Sequence, residues 1–487
     1  MHLGAMREDK TVEDFRYRQI EQHLLQQIAS GTLGPGTRLP SLRHVSARSR
    51  VAVSTVSQAY AELERKGIIE SRPRSGFFVR RDAQELPPPP RTPRPVLRPH
   101  TINRSQLIAA VLESVGDREL LPLGINCPAE ELLPHRELAR VAARMAREDS
   151  RSQVGYLPVE GSLSLRRQLS LRAAQAGLDV RPEEIIITCG AMEALHVAVR
   201  SLVRPGDNVL IQAPSYFCFQ QLLENQGVRS IEIPSHPRHG VDPSDVERAL
   251  SRFDIRACIF TPNFNNPDGS LTPDKAKKEV VSLLAQRQIP LIEDDVAGDL
   301  YFGPSRPTVF KMFDTQGLVI LCSSFSKTLC PGYRIGWIMP GRFRAQAYSV
   351  KATTNVCTAT PTQEAVAMFL QEGRYERHLR ALRRRLLEQT QAMQLHISRT
   401  FPGGTRVSRP EGGGVLWVEL PRGVDSVELM YQAREQGISI APGTIFSTQD
   451  RFANCIRLNT GNPWNEKLAR GVEGLGSLVH GMLPAGS

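Results

Sequence analysis

The sequence predicts an α/β body built on a mostly parallel sheet, preceded by a small basic domain of helices and a hairpin. Three observations predict it. From about residue 104 onward, short continuous apolar runs alternate with helix-length segments, as strands of a covered parallel sheet do. A proline-rich run separates that stretch from what precedes it. The charge is also uneven: residues 1–100 hold 17 Lys and Arg against 10 Asp and Glu, a net of +7 out of +11 for all 487 residues.

Composition narrows the function classes. With 40% hydrophobic and 23% charged residues, the chain has ordinary globular usage. No run approaches the ~18–20 apolar residues of a membrane-spanning helix, and the first ten residues have no apolar core, so no membrane association and no secretory signal are expected. The eight cysteines are scattered, without Cys-x-x-Cys spacing, so neither a disulfide framework nor a structural metal is expected. A reduced, cytoplasmic protein is the expectation. The basic excess at the N-terminal end makes nucleic acid the first partner to test.

In the N-terminal part, Ile20, Leu24 and Ile28 recur every four residues and predict a helix over 15–30, stopped by Gly31, Gly34, Pro35 and Gly36. Ser41 is placed to cap a short second helix with Leu42 and Val45 inward. A third helix over 53–66 buries Val56, Tyr60 and Leu63, with Thr55, Gln58 and Glu62 expected to face away. Gly67 ends it, and Ile68 to Val79 reads as a hairpin with a basic turn, Arg72-Pro73-Arg74-Ser75-Gly76. Three helices and a hairpin make a winged helix-turn-helix, in which Arg38, Arg43, Arg48, Arg72 and Arg74 would neutralise phosphates. A small helical bundle that binds protein has the same periodicity.

The motif residues separate the two. Gly36-Thr37-Arg38-Leu39-Pro40-Ser41-Leu42-Arg43, Thr55-Val56 and Ala59 to Gly67 closely resemble the DNA-binding domain of the GntR family. The resemblance implies a DNA-binding domain over 11–80, with DNA contacts at Arg38, Ser41, Arg43, Ser54, Thr55 and Gly76; Arg72 and Arg74 of the basic turn are expected to join them. One departure stands out: where the family starts its third helix with Val-Ser-Arg, this chain has Val51-Ala52-Val53.

Residues 81–103 predict a linker, since 81–100 alone contain seven prolines, which can join neither a helix nor a central strand. The body, 104–487, offers chemistry just after its strands, where parallel sheets bind ligands. After Ile185–Thr188 comes the small-residue turn Cys189-Gly190-Ala191-Met192 that opens a helix, a geometry suited to phosphate and equally to tight packing. Tyr216 follows Ala213-Pro214-Ser215, and Asn266 lies in Pro262-Asn263-Phe264-Asn265-Asn266-Pro267, which also reads as a plain turn. Glu293-Asp294-Asp295 leaves a buried strand, with no His at ligand spacing to suggest a metal. Lys327 sits in Ser323-Ser324-Phe325-Ser326-Lys327, seven residues before Arg334, which suits Schiff-base chemistry by an amine among phosphate-binding groups and also reads as a surface lysine in a Ser-rich loop.

In order and spacing these motifs resemble the fold type I enzymes that use pyridoxal 5'-phosphate (PLP), the aminotransferase fold, with a large mostly parallel sheet domain and a small α/β domain. Joined to a GntR-type head, the whole resembles the MocR subfamily of transcriptional regulators. The resemblance implies that Lys327 is the catalytic, Schiff-base lysine. Asp294 would pair with the pyridine nitrogen, Asn266 would bond the ring hydroxyl and Tyr216 would stack on the ring. Ala191, Met192, Ser324, Ser326 and Arg334 would hold the phosphate. Tyr156 would reach a neighbouring subunit's phosphate, which implies a homodimer, and Arg457 would take an effector carboxylate. No metal is implied. Operator DNA, PLP and an amino compound (or PLP itself as the signal) are the implied partners. The family commonly has a tyrosine three residues past the aspartate; here it is Ala297, which points to sensing over turnover. A working aminotransferase carrying a DNA-binding head is the alternative. The arginine-rich run 374–385 reads as a solvated helix face opposite Leu379, Leu382 and Leu386, with a secondary DNA surface as the alternative.

Overall fold

A computed structural model of the chain describes residues 17–28, 32–34, 36–72, 75–80, 86–94, 105–114, 116–117, 119–148 and 154–484. Residues 11–16, Arg74 and much of the expected linker lie outside them. Contacts divide the chain into two compact units: one takes in the chain up to Pro87 together with Gln391–Thr400, the other Pro88–Thr390 and Phe401–Ser487.

The first unit holds α1 (17–28), α2 (Leu42–Ser49), α3 (Val53–Arg65) and the antiparallel hairpin β1 (Ile69–Arg72) and β2 (Gly76–Val79). Its core is the stripe read from the sequence: Ile20 and Leu24 of α1 meet Val56, Ala59, Tyr60 and Leu63 of α3. The Tyr60 hydroxyl donates to the Pro40 carbonyl at 2.8 Å and fixes the turn before α2. Ser41 caps α2, its Oγ accepting from the His44 amide at 3.2 Å. Ala52 precedes α3 and supplies no side-chain cap. Thr55, expected to face outward, is buried instead. Its position follows from helix geometry: Thr55, Ala59 and Leu63 form a second i, i+4 row beside Val56 and Tyr60, so the buried stripe is wider than the three apolar residues suggested.

In the second unit an eight-stranded sheet has the order β4-β11-β10-β9-β8-β5-β6-β7. Its strands are β4 (Ile186–Cys189), β5 (Asn208–Ala213), β6 (Arg229–His236), β7 (Gly240–Val241), β8 (Ala257–Phe260), β9 (Leu291–Asp294), β10 (Val319–Ser324) and β11 (Ile335–Met339). The neighbours from β6 to β10 are parallel, while β11 runs antiparallel to β10 and β4. Helices α7 (Gly190–Leu202), α8 (Phe217–Asn225), α9 (Pro243–Arg252) and α10 (Asp274–Gln286) connect these strands. Strands such as Ala257-Cys258-Ile259-Phe260 are buried at every residue, which is why they read as unbroken apolar runs.

A four-stranded sheet, in the order β12 (Arg406–Val407), β13 (Val415–Glu419), β16 (Cys455–Asn459), β15 (Ala441–Pro442), forms the smaller part. A short parallel pair, β3 (Leu121–Pro122) with β14 (Ile438–Ser439), ties the start of the body to it. Part of the expected linker is docked here. The Pro88 carbonyl accepts from Val407 N at 2.9 Å on β12, the edge strand, and Arg91 N donates to Glu419 at 2.8 Å. Extended proline backbone exposes its carbonyls, and an edge strand offers unpaired donors for them.

The remaining helices of the body are α4 (Ser105–Leu112), α5 (His135–Glu148), α6 (Leu163–Gln175), α11 (Arg344–Asn355), α12 (Thr360–Gln371), α13 (Tyr375–Thr400), α14 (Ser426–Glu435) and α15 (Glu466–Gly481). On α13, Leu379, Leu382 and Leu386 are buried, while Arg377, Arg380, Arg384 and Arg385 are exposed. Arg383 departs from that face: it is buried, with its guanidinium 4.0 Å from the centre of the Tyr301 ring. Among the described residues, no helix is long and apolar enough to cross a membrane, and no His, Cys, Asp and Glu cluster could hold a metal.

Candidate functional site

The C-terminal ends of β4, β5, β8, β9 and β10 open onto one cavity. Ten of the eleven residues expected around a cofactor and effector line it: Ala191, Met192, Tyr216, Asn266, Asp294, Ser324, Ser326, Lys327, Arg334 and Arg457. The eleventh, Tyr156, lies outside it with 88% of its surface exposed.

One end of the cavity is built for an anion. Gly190 opens α7 with φ +74°, and a Cβ there would collide with Arg334 Nη2. Only glycine permits the guanidinium to sit against the first turn of α7, whose N-cap Cys189 supplies no side-chain bond. Arg334 Nη1 donates to Ser326 Oγ at 3.2 Å, and Ser326 N donates to Ser324 Oγ at 3.3 Å. A guanidinium, two hydroxyls and helix amides therefore face one spot, an arrangement chemically suited to a phosphate.

The acidic triplet is divided by its position on and after β9. Glu293 accepts from the amides of Phe310 at 2.6 Å and Lys311 at 2.9 Å, and burial pushes its pKa up to about 8. Asp295 pairs with Arg306 and accepts from Asn263 Nδ2 at 2.8 Å. Asp294 alone faces the cavity. It is 4% exposed and accepts from Val296 N at 3.3 Å; burial, with the neighbouring Asp295 charge, pushes its pKa up to about 7. A buried carboxylate with so little compensation is suited to receive a cationic N–H.

Lys327 donates its ammonium to the Asn126 carbonyl, and burial lowers its pKa below the usual lysine value. Less charge on the amine makes it a better nucleophile. Tyr216 immediately precedes α8 and packs its ring edge-on against Phe219, with centroids 5.7 Å apart. Arg457, on β16, is 2% exposed. Its Nη1 donates to Asn266 Oδ1 at 2.9 Å and its Nη2 to the Gly124 carbonyl, while its Nε is buried without a partner. Burial pulls its pKa down to about 10.

Sequence reasoning missed the strip Gly124-Ile125-Asn126, Phe264, and Val111 and Leu112 at the end of α4, all of which line the cavity. The strip acts through backbone carbonyls, which leave no side-chain signature. A signal existed for α4: its eight residues, Ser-Gln-Leu-Ile-Ala-Ala-Val-Leu, contain six apolar ones in a row with no polar face.

On the first unit Arg38, Ser41, Arg43, Arg48 and Ser54 are exposed. Gly76 holds φ +95° in the hairpin turn, and a Cβ there would lie 3.4 Å from Arg38 Nε. Arg72 is exposed but paired with Glu70 at 2.7 Å and stacked over Phe78, so part of its charge is already used. Thr55 is buried and cannot present its hydroxyl outward.

Comparisons with known proteins follow the same division. The gntR family of bacterial regulatory proteins matches residues 16–79, and the class I and II aminotransferases match residues 118–475. The Escherichia coli K12 HTH-type transcriptional regulators YjiR and YdcR, both uncharacterized, are 35% and 36% identical; they cover 96% and 95% of this chain, and 99% of each of theirs is covered. The 2-aminoadipate transaminase of Thermus thermophilus is 34% identical over 75% of this chain and 91% of its own. The crystal structure of LysN, the α-aminoadipate aminotransferase of that organism in complex with N-(5'-phosphopyridoxyl)-L-leucine, superposes with a TM-score of 0.71 at 32% identity, covering 77% of this chain and 95% of its own.

Proposed function

The chain belongs to the MocR-type GntR regulators, a gntR-family DNA-binding domain joined to a class I and II aminotransferase domain, and we propose that it couples operator binding to an amino compound received beside PLP at Lys327. The carrying observation is the convergence of ten expected residues on one cavity. The residues fit PLP: the Gly190–Arg334 cradle suits its phosphate, and buried Asp294 suits its ring N–H. Bound there, PLP supplies an aldehyde that condenses with amines and a ring that withdraws electrons.

Each residue then has a task set by its own geometry. Asp294 keeps the ring nitrogen protonated. Lys327 holds or yields a proton at Nζ according to its lowered pKa. Asn266 orients the Arg457 guanidinium, and Arg457 receives a carboxylate. Tyr216 covers one face of the ring. Tyr156, exposed in the single chain, reaches the phosphate held by a second copy, so the working form is a homodimer. Arg38, Ser41, Arg43, Ser54, Arg72 and Gly76 present the first unit to operator DNA, and the protein works in the cytoplasm. An effector that favours one conformation of the dimer shifts DNA affinity by the difference in its affinity for the two states.

Ala297 lines the cavity where the family commonly has a tyrosine, which supports sensing over turnover. The second reading, an active aminotransferase, draws on the transaminase relatives. The test is to reconstitute the full chain with PLP, record its visible spectrum, and add amino acids singly and then with a keto-acid acceptor. A spectral response without steady release of new keto acid supports the regulator. Catalytic release makes it an enzyme, and absence of any band defeats the cofactor assignment.

A further inference from the structure

The part of the cavity left over once the cofactor groups are assigned has a distinct chemistry. The charged side chains lining the cavity, among the described residues, are Asp294, Lys327, Arg334 and Arg457. The first three are committed to the ring nitrogen, the aldehyde carbon and the phosphate. Arg457 remains, with its Nε buried and unpartnered. One cation can pair one carboxylate, and among the described residues no second cation lines the cavity for another.

The strip 124–126 locates the ligand. Its Gly124 carbonyl accepts from Arg457 and its Asn126 carbonyl accepts from Lys327. Ile125 is the residue between these two anchors, so it lies beside the place where an amino acid joins its amino group to its carboxylate. The other unassigned lining residues include Val111 and Leu112 of α4, and Phe264, which holds φ +56° in its turn. Leu112 is 42% exposed, an apolar side chain left at the surface of a cavity. None of these four side chains carries a donor or an acceptor; the polar side chains of the unassigned lining, Asn126 and Thr261, are neutral.

We propose that the effector is an α-amino acid with an uncharged apolar side chain, its carboxylate on Arg457 and its side chain against Ile125, Val111, Leu112 and Phe264. This rests on the reading of the cavity as a PLP-dependent sensor and names the ligand class that reading leaves open. A second carboxylate or an ammonium on the ligand would lose its water against mostly apolar groups and meet only neutral side chains, with no counter-charge. An amine without a carboxylate would leave Arg457 buried and unpaired.

The experiment is a spectral titration of the PLP-loaded full chain. The probes are alanine, 2-aminobutyrate, norvaline and norleucine, with glutamate, lysine and isoamylamine for comparison. The expected result is affinity rising roughly three- to fourfold per methylene along the first series, with the other three at least about a hundredfold weaker than norleucine. A second arm uses Leu112→Lys, at an exposed position, and should bring the glutamate response closer to that of norleucine. A flat methylene series, or glutamate or lysine binding as tightly as norleucine, overturns the inference alone. A loaded protein whose spectrum no amino compound alters overturns the sensing reading with it. A protein that gains no band from PLP overturns the cofactor assignment beneath both.

Discussion

The two regions handle charge in opposite ways. Around Lys327, function is assigned to Asp294, Arg457 and Lys327, buried groups whose pKa values are pushed toward neutrality because few solvating partners replace the lost water. In the first unit it is assigned to Arg38, Arg43 and Arg48, exposed guanidinium groups in water. Burial makes each interaction strong, specific and insensitive to salt. Exposure makes each weak and screened, so affinity there comes from summing many. The body is therefore built to tell one small molecule from another, and the head to hold a polyanion whose strength of grip can be set by small changes.

The largest effect expected is from Lys327→Ala, which should abolish the visible band gained on adding PLP, read by absorbance after gel filtration. Next, Arg457→Gln should weaken the spectral response to the responding amino acid by roughly a hundredfold, the cost of leaving a carboxylate desolvated and unpaired, with the PLP band itself retained.

Asp294 sharpens the comparison through pH. Its folded pKa of about 7 lies above the ordinary aspartate value of about 3.9. Between those values the folded, cofactor-free protein holds a proton that the unfolded chain releases, so stability falls as pH rises from about 4 to about 7. Asp294→Asn removes that slope. Without PLP the variant should match wild type near pH 4 and exceed it at pH 8 by up to about 4 kcal/mol. Thermal melts at both pH values measure the gap, and adding PLP should stabilise wild type far more than the variant.

In the head, Arg43→Ala should lower the slope of log affinity against log salt by about 0.9 per head, and weaken binding similarly on all DNA sequences. No salt dependence should appear in the amino-acid response of the body beyond a small one. The smallest effect is from Ala52→Ser. It restores a cap that α3 lacks and should stabilise the head by about 1 kcal/mol, read by denaturant unfolding.

Much of this was legible in the sequence, for identifiable reasons. The buried strands of the large sheet read as unbroken apolar runs, so β4, read over Ile185–Thr188, is found within one residue of those bounds at Ile186–Cys189. Most of the cavity residues were found because they lie at or soon after the C-terminal ends of such strands, while Arg457, on β16 of the smaller sheet, was reached only through the family resemblance. What escaped lies where side chains do not report the geometry. Gly124 and Asn126 act through carbonyls, and the docking of Pro88 on β12 depends on an edge strand far along the chain. Thr55 was misplaced because a threonine's methyl can pack in a helix stripe that its hydroxyl conceals.

The most direct test of the central claim measures DNA affinity against cavity occupancy. A fluorescent duplex is first selected from random sequence by the PLP-loaded protein. Its binding is then titrated by anisotropy with and without the amino acid that alters the visible spectrum, for wild type and for Arg457→Gln. The account predicts that wild-type affinity changes over the same amino-acid concentrations as the spectrum, and that the variant needs roughly a hundredfold more. DNA affinity that stays constant while the spectrum saturates would contradict it.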